Sequence, residues 1–560
     1  MFKKTDPNPQ LDIFTAPSMQ LGSRASKKYS DPNAWHNQFY SLVTTKINEE
    51  IFKPLFPEGK KCGRPNASIR ILVAMSALKE GFGCSDEDLF EKCEFDLLTR
   101  KALGMELLTD VTPSIDTYYL FRRRICEYQE RTGIDLMQLC FEQLAGNQVR
   151  LLKISGKCVR MDSKLIGSNI ARQSRYELIH TTLVKFLKTC TLSDLSPEQE
   201  ERAKEYLKED SSKTVYRSDS DTLQSNLARI GNFIMEMLAT FPATSPAHDL
   251  LQRLFDEQYA VKDGKAVLRD KKEVKADSLQ NPNDPDATYR AKNDQKVQGY
   301  VTNITETVEE GKPNIITSVL VETAVFADCH FLQEAVENSE RVTDSTIEDL
   351  YADGAYQSPD NREFAKNHNA MQLKTGKMQG GCRWELIPHD EDGLTVREIA
   401  TGNTYEAVKA VTKQGSRKRW RIPWNNKTGW RYFEDKDIKA YQLRKQIESL
   451  PLEEQHKRNN VEAAMFQYSF HTRKGKTRYR GLLKHRMHAY SRCMWMNLRR
   501  MVIFQISTFQ RSIFALFGPI REAFGSFKAI SRKIFTSGAD CYVSLRMTTL
   551  ARLDSKYVPF

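Results

Sequence analysis

The stretch LLKISGKCVRMDSKLIGS, residues 151–168, marks a change of texture along the chain. Upstream, apolar residues recur at helical spacing. Here they alternate, which predicts a short strand, a turn and a second strand that delivers Asp162. Strand signals resume at VQGYVTNITE (297–306) and at NIITSVLVETA (314–324). A helix is predicted from Asp328 to about Asn338, and IEDLYADGAY (347–356) reads as a strand ending at Asp353. Leu452 to about Phe470 reads as a helix carrying Glu462. The order is therefore three strands, a helix, a strand and a late helix. One acid lies on the first strand, one at the end of the fourth and one on the late helix.

On the N-terminal side, residues 1–33 form a polar lead, and Trp35 to about Leu144 has a helical pattern. SIRILVAMSALKEGFG (68–83) has apolar residues at helical spacing, with Gly81 and Gly83 placed to stop it. SDEDLFEKC (85–93) reads as an N-capped helix with acids in its first turn. TPSIDTYYLFRRRI (112–125) predicts a helix with Pro113 at its first position and a basic run of Arg122, Arg123 and Arg124. Residues 1–148 are accordingly expected to be a helical domain whose basic face suits DNA, and 149–480 a second, mixed α/β domain. Two insertions are expected in the latter: a charged helical one over about 173–283, and a β-rich one over about 375–440. Residues 270–295 look like a linker or exposed loop, and 481–560 like a basic helical tail.

The β-rich insertion holds KQGSRKRWRIPWNNKTGWRY (413–432). It sets Arg417, Lys418, Arg419, Arg421 and Arg431 among Trp420, Trp424, Trp430 and Tyr432. Basic side chains neutralise phosphates and aromatic rings stack on unpaired bases; the same tryptophans also suit a sheet core.

The 560 residues carry a net charge of +12, which favours a polyanionic partner, with nucleic acid the first candidate. Eleven cysteines, an odd number with no CxxC pair, argue against a zinc ribbon or a disulfide framework and for free thiols in a reducing compartment. The N-terminal stretch has no apolar signal-peptide core. The apolar run Met501–Phe517 is broken by Gln505, Gln510 and Arg511, so no membrane span is expected.

Several segments resemble the DDE-class transposases of bacterial insertion sequences. YADGAYQS (351–358), with Asp353, Gly354 and Tyr356, resembles their second-acid motif. RNNVEAAMFQYSF (458–470) resembles the third-acid motif, with Arg458 four residues before Glu462. VRMDSKLIGSNIA (159–171) fits the first-acid pattern, and TRYRGLLKHRMHAYSRCMWMNLRRM (477–501) the closing segment. GRPNASIRILVAMSALKEGFGCSDEDLFEKC (63–93) is similar to the N-terminal helical domain of that class, and DPDATYRAKNDQKVQGY (284–300) to the run into the second strand. The sequence departs from the pattern at Ser469, where many relatives place Lys or Arg, and at Gln455, where Tyr is common.

The resemblance implies an α/β protein: an RNase H-like mixed sheet with a helical N-terminal domain, a helical insertion and a β-rich insertion. Asp162, Asp353 and Glu462 would be catalytic and would hold two Mg²⁺ ions, with Mn²⁺ able to substitute. Arg458, Tyr356, Arg473, Arg480, Arg417, Arg419, Trp420, Arg122 and Arg123 would contact DNA. The partners would be double-stranded DNA, as inverted-repeat ends and as target, and further copies of the chain in a dimer or higher oligomer. No membrane is implied, and the expected place is the bacterial cytoplasm, at the nucleoid. The alternative is a DNA-binding protein derived from such an enzyme that does not cut.

Overall fold

The computed structural model describes residues 2–4, 17–56, 65–242, 245–292, 295–375, 382–389, 393–410, 419–424, 429–449, 451, 454, 457 and 461–523, with side chains to residue 508. In the N-terminal region, local chemistry sets the helix ends. Helix Ile69–Phe82 starts where the Ser68 hydroxyl accepts from the Ile71 N–H, and stops at Gly83, whose φ of 66° suits glycine. Ser85 and Asp88 form a reciprocal capping box at the start of Asp86–Phe95. Helix Ile115–Thr132 is capped by Ser114, so Pro113 precedes the cap instead of opening the helix. The expected short strand at Leu151 is absent. Helix Leu136–Leu152 runs through it, because the core-facing spacing of Phe141, Leu144, Ala145, Gln148 and Val149 carries on to Lys153, where φ turns to 51°.

Six strands form the main sheet: β1 (Cys158–Gly167), β2 (Thr288–Lys292), β3 (Gln295–Thr307), β4 (Ile316–Thr323), β5 (Asp349–Ala352) and β6 (Gln372–Thr375). The order is β2-β3-β1-β5-β6, and β4 pairs with β3 beside β2. β3 runs antiparallel to β1, from Val159 opposite Thr307 to Gly167 opposite Gly299. β5 is parallel to β1, and β6 parallel to β5. The stretch read as a linker thus supplies an edge strand, β2.

Val159 and Met161, alternate residues of β1, join Val301, Leu332, Val336 and Leu350 in a core under helix Leu332–Thr343. The other face of the sheet is covered by the last helix, Leu482–Ala523. Met487, Tyr490, Cys493, Met494, Trp495, Leu498 and Met501 of that helix are buried in one core with Leu72, Val73, Leu78, Ile304 and Ile316. The segment expected to be a tail is therefore, to residue 502, a central element joining the N-terminal helices to the sheet. Asn497 accepts from the Ile316 N–H at 2.8 Å and donates to the Ile316 carbonyl at 2.9 Å. Gly81 lies against the Trp495 indole, and a methyl group there would fall inside the ring's contact distance. Gly81→Ala should cost about 1–3 kcal/mol of stability, read as a lower urea midpoint.

The helical insertion spans Arg175–Gln258 and ends in the hairpin Tyr259–Lys262 and Lys265–Leu268, around its own core of Leu183, Phe186, Ile230, Phe233 and Leu254. The second insertion is a five-stranded antiparallel meander: β7 (Trp384–His389), β8 (Gly393–Glu398), β9 (Thr404–Ala410), β10 (Arg419–Trp424) and β11 (Gly429–Glu434). Its inner face, with Leu386, Val396, Trp420, Ile422 and Phe433, packs on Ile438 and Tyr441 of helix Asp435–Glu448. Among the described residues no helix is long and apolar enough to cross a membrane.

Candidate active site

The register of β1 and β5 brings two acids together. Cys158 pairs with Asp349 and Arg160 with Tyr351. Continuing that register by two residues sets Asp162 beside Asp353, which directly follows β5. Each carboxylate is steadied by the next backbone N–H: Ser163 donates to Asp162 and Gly354 to Asp353, both at 2.7 Å. Burial pushes the Asp162 carboxyl up to about 6; the Ser163 N–H opposes this, and the charge of Asp353 adds to it. Lys292 pulls it down and Asp328 pushes it further up. Asp328 is itself held by Arg290 at 2.9 Å and Lys292 at 3.5 Å.

A carboxyl raised on folding favours the protein while protonated. Its contribution is complete below the unfolded value near 4 and is lost as pH rises through about 6. In EDTA, wild type should therefore lose more thermal stability between pH 5 and pH 7 than Asp162→Asn does, read as melting temperatures of the two proteins at both pH values.

Glu462 is exposed in the first turn of helix Val461–Ser469. Two side chains of β1 fix this helix and the residues before it. The Arg160 guanidinium donates to the Lys457 carbonyl at 2.9 Å, and the Lys164 ammonium to the Ser469 hydroxyl at 2.7 Å. Arg160, Asp162 and Lys164 are alternate residues on one face of the strand. Lys457, Glu462 and Ser469 follow one another in the same direction, so the helix runs alongside β1. Among the described residues, however, no three His, Cys, Asp or Glu side chains are grouped closely enough to hold a metal ion. The structure brings Asp162 and Asp353 together and leaves Glu462 on the neighbouring helix.

Further anchors hold this arrangement. Arg160 also donates to fully buried Glu306 at 2.6 Å, and Arg500 lies 2.6 Å from the other Glu306 oxygen. Glu454 receives hydrogen bonds from Lys374 and the Tyr351 hydroxyl, which hold its carboxyl down at about 2. Sequence reasoning missed Arg160, Lys164 and Glu306. The available signal was the charged pair flanking Asp162 at alternate positions of an otherwise apolar strand.

Three expected DNA contacts are inside the protein. Tyr356 is 1% exposed, and its hydroxyl receives the Asn303 amide at 2.8 Å and meets the Ser163 hydroxyl; it ties the Asp353 turn to β1 and offers DNA no surface. The Arg122 side chain is covered, its guanidinium over the Tyr118 and Tyr479 rings. Trp420 is in the core of the β-rich insertion. Others stay at the surface. Arg123 is exposed beside Glu127, and Arg473 and Arg480 are exposed, with Arg480 donating to the Asn169 carbonyl at 2.7 Å. On the outer face of β10 and β11, the Arg419 guanidinium lies 3.9 Å from the Tyr432 ring centre and that of Arg421 4.2 Å from Trp430. Arg417 and Arg458 lie outside the described residues.

No curated protein and no solved structure matches the chain. Residues 28–124, the helical region that packs on the last helix, match the family model Transposase domain (DUF772), and this match supports a transposase, a DNA-processing and hence DNA-binding enzyme.

Proposed function

We propose that the chain is a DDE-class transposase that cleaves DNA at the ends of an insertion sequence and joins them to target DNA. The observation that carries this reading is the meeting of Asp162 and Asp353 on adjacent parallel strands, with the Glu462 helix fixed alongside by residues flanking Asp162. Three antiparallel strands followed by two parallel ones, in the order β4-β3-β1-β5-β6, support an RNase H-like core.

The donor set fits Mg²⁺. Two neighbouring carboxylates, one raised by burial and by the other's charge, leave negative charge that a hard divalent cation neutralises through oxygen ligands. Asp162 and Asp353 would hold it, with Glu462 completing the set. When bound, the metal would lower the pKa of an attacking water and compensate charge at the phosphate. In the first step a water oxygen bonds to the phosphorus at the element boundary, the P–O3′ bond breaks, and the departing 3′-oxygen takes up a proton. In the second, that 3′-hydroxyl bonds to a target phosphorus and loses its proton as the target's own P–O3′ bond breaks. Arg123, Arg473, Arg480 and the outer Arg419–Arg421 face are suited to the DNA backbone, and Trp430 and Tyr432 take the exposed aromatic role expected of Trp420. Paired ends require two or more copies of the chain. The exposure of Glu462, apart from the acid pair, favours one other reading: a DNA-binding relative that does not cut.

The test is a nicking and strand-transfer assay on the DNA flanking the gene. Cutting at the element ends is expected in Mg²⁺ or Mn²⁺, and none in EDTA, with DNA still bound. Binding without cutting under all conditions would favour the non-catalytic relative.

A further inference from the structure

The helix that carries Glu462 has a buried side, with Val461, Ala464, Met465 and Tyr468 against β1 and the last helix. Its outward side is not polar throughout. Phe466, one turn beyond Glu462 on the same face, is 64% exposed. Phe470, just past the helix, is 37% exposed, and the two rings meet edge to face with centroids 5.9 Å apart. At 1.5 Å per residue, Phe466 begins about 6 Å along the helix axis from Glu462. The fold does not need Phe466 for packing, since the opposite face already seats the helix.

The segment after Phe470 is strongly basic. Arg473 and Lys476 exchange two backbone hydrogen bonds of 3.0 Å around Lys474 and Gly475, both with positive φ. This tight hairpin is tied to the end of β1, where the Gly167 N–H donates to the Gly475 carbonyl at 2.8 Å. Arg473, Lys474, Arg478 and Arg480 are exposed around it. An exposed phenyl pair therefore lies between the Glu462 position and a rigid cationic turn. Cations at this spacing suit phosphates, and rings without hydrogen-bonding atoms suit the face of any base.

We propose that Phe466 and Phe470 are a stacking platform for an unpaired nucleobase at the processed DNA end, whose backbone is held by Arg473 and Lys474. This rests on the DNA-end-processing reading above. The test is fluorescence anisotropy on the full chain with two synthetic probes: a blunt duplex, and the same duplex with an unpaired thymidine end and 2-aminopurine at the junction. Wild type should prefer the unpaired end, with quenched 2-aminopurine. Phe466→Ala and Phe470→Ala should each reduce that preference roughly tenfold, Phe466→Trp should restore it, and Arg473→Ala should weaken both probes alike. Melting temperatures would check that the variants are folded. If the Phe variants keep the preference and the quench, the platform is wrong while the DNA reading stands. If they weaken both probes equally and dissociate an oligomer in sedimentation, the phenyl pair is a contact between copies and the proposal falls. If wild type binds neither probe, both readings fall.

Discussion

Asp162→Asn and Asp353→Asn should each reduce strand cleavage by about a thousandfold or more, with DNA affinity unchanged. Losing a carboxylate that holds a catalytic metal removes several kcal/mol of transition-state stabilisation, and about 4 kcal/mol already corresponds to three decades in rate. Asn keeps the side-chain oxygen that accepts from Ser163 or Gly354, so the local backbone has no reason to move. The Asp162 exchange should also raise the melting temperature of the metal-free protein at pH 7, since it removes a buried charge repelled by Asp353. Loss of cutting with gain of stability is the signature of a functional group and not of a structural one. Glu462→Gln should cut as poorly as the other two if the helix brings its exposed carboxylate to the pair when DNA and metal are bound. Single-turnover nicking of the three variants, beside wild type, reads all of this. Wild-type cutting by Asp162→Asn would remove the pair from the mechanism.

Four of the main sheet's six strands were readable because they bury one or both faces, and burial leaves an apolar signature. β1, β3, β4 and β5 lie where alternation and β-branched runs put them. The placement of Asp353 beside Asp162 was readable only through the resemblance, since no local pattern reports a register between strands far apart in the chain. What failed was mostly a question of which surface a residue faces. Arg122 and Trp420 sit in basic stretches that look solvated, yet a guanidinium can lie between two tyrosine rings and an indole can fill a sheet core. The resemblance implied a DNA contact for Tyr356, and tertiary hydrogen bonds to Ser163 and Asn303 turned it inward. The last helix was misread for the opposite reason. Its basic residues suggested an exposed tail, but its apolar residues form the seam between the N-terminal helices and the sheet, while the Arg492 guanidinium donates to the carbonyls of Glu80, Gly81 and Gln467.

Arg160→Met should destabilise the protein by about 3 kcal/mol and also slow cleavage. Glu306 is fully buried, so its charge is tolerable only while its cationic partners are in place. Taking one partner from a buried pair costs about 3–5 kcal/mol, and the low end applies because Arg500 remains 2.6 Å away. The same exchange frees the Lys457 carbonyl and with it one of the two tethers that hold the Glu462 helix to β1. Lys164→Met separates the two effects. It removes the tether at Ser469, but Lys164 has no part in the Glu306 cluster and is only half-buried, so the urea midpoint should move little. If the tethers set the position of Glu462, Lys164→Met lowers the single-turnover rate without weakening DNA binding, and Lys164→Arg, which can still reach the Ser469 hydroxyl, recovers it. A rate unchanged in Lys164→Met would mean that the helix is seated by its buried face alone, through Val461, Ala464, Met465 and Tyr468. A wild-type urea midpoint in Arg160→Met would mean that Arg500 alone suffices for Glu306, and that the second arginine is held there for the helix it carries.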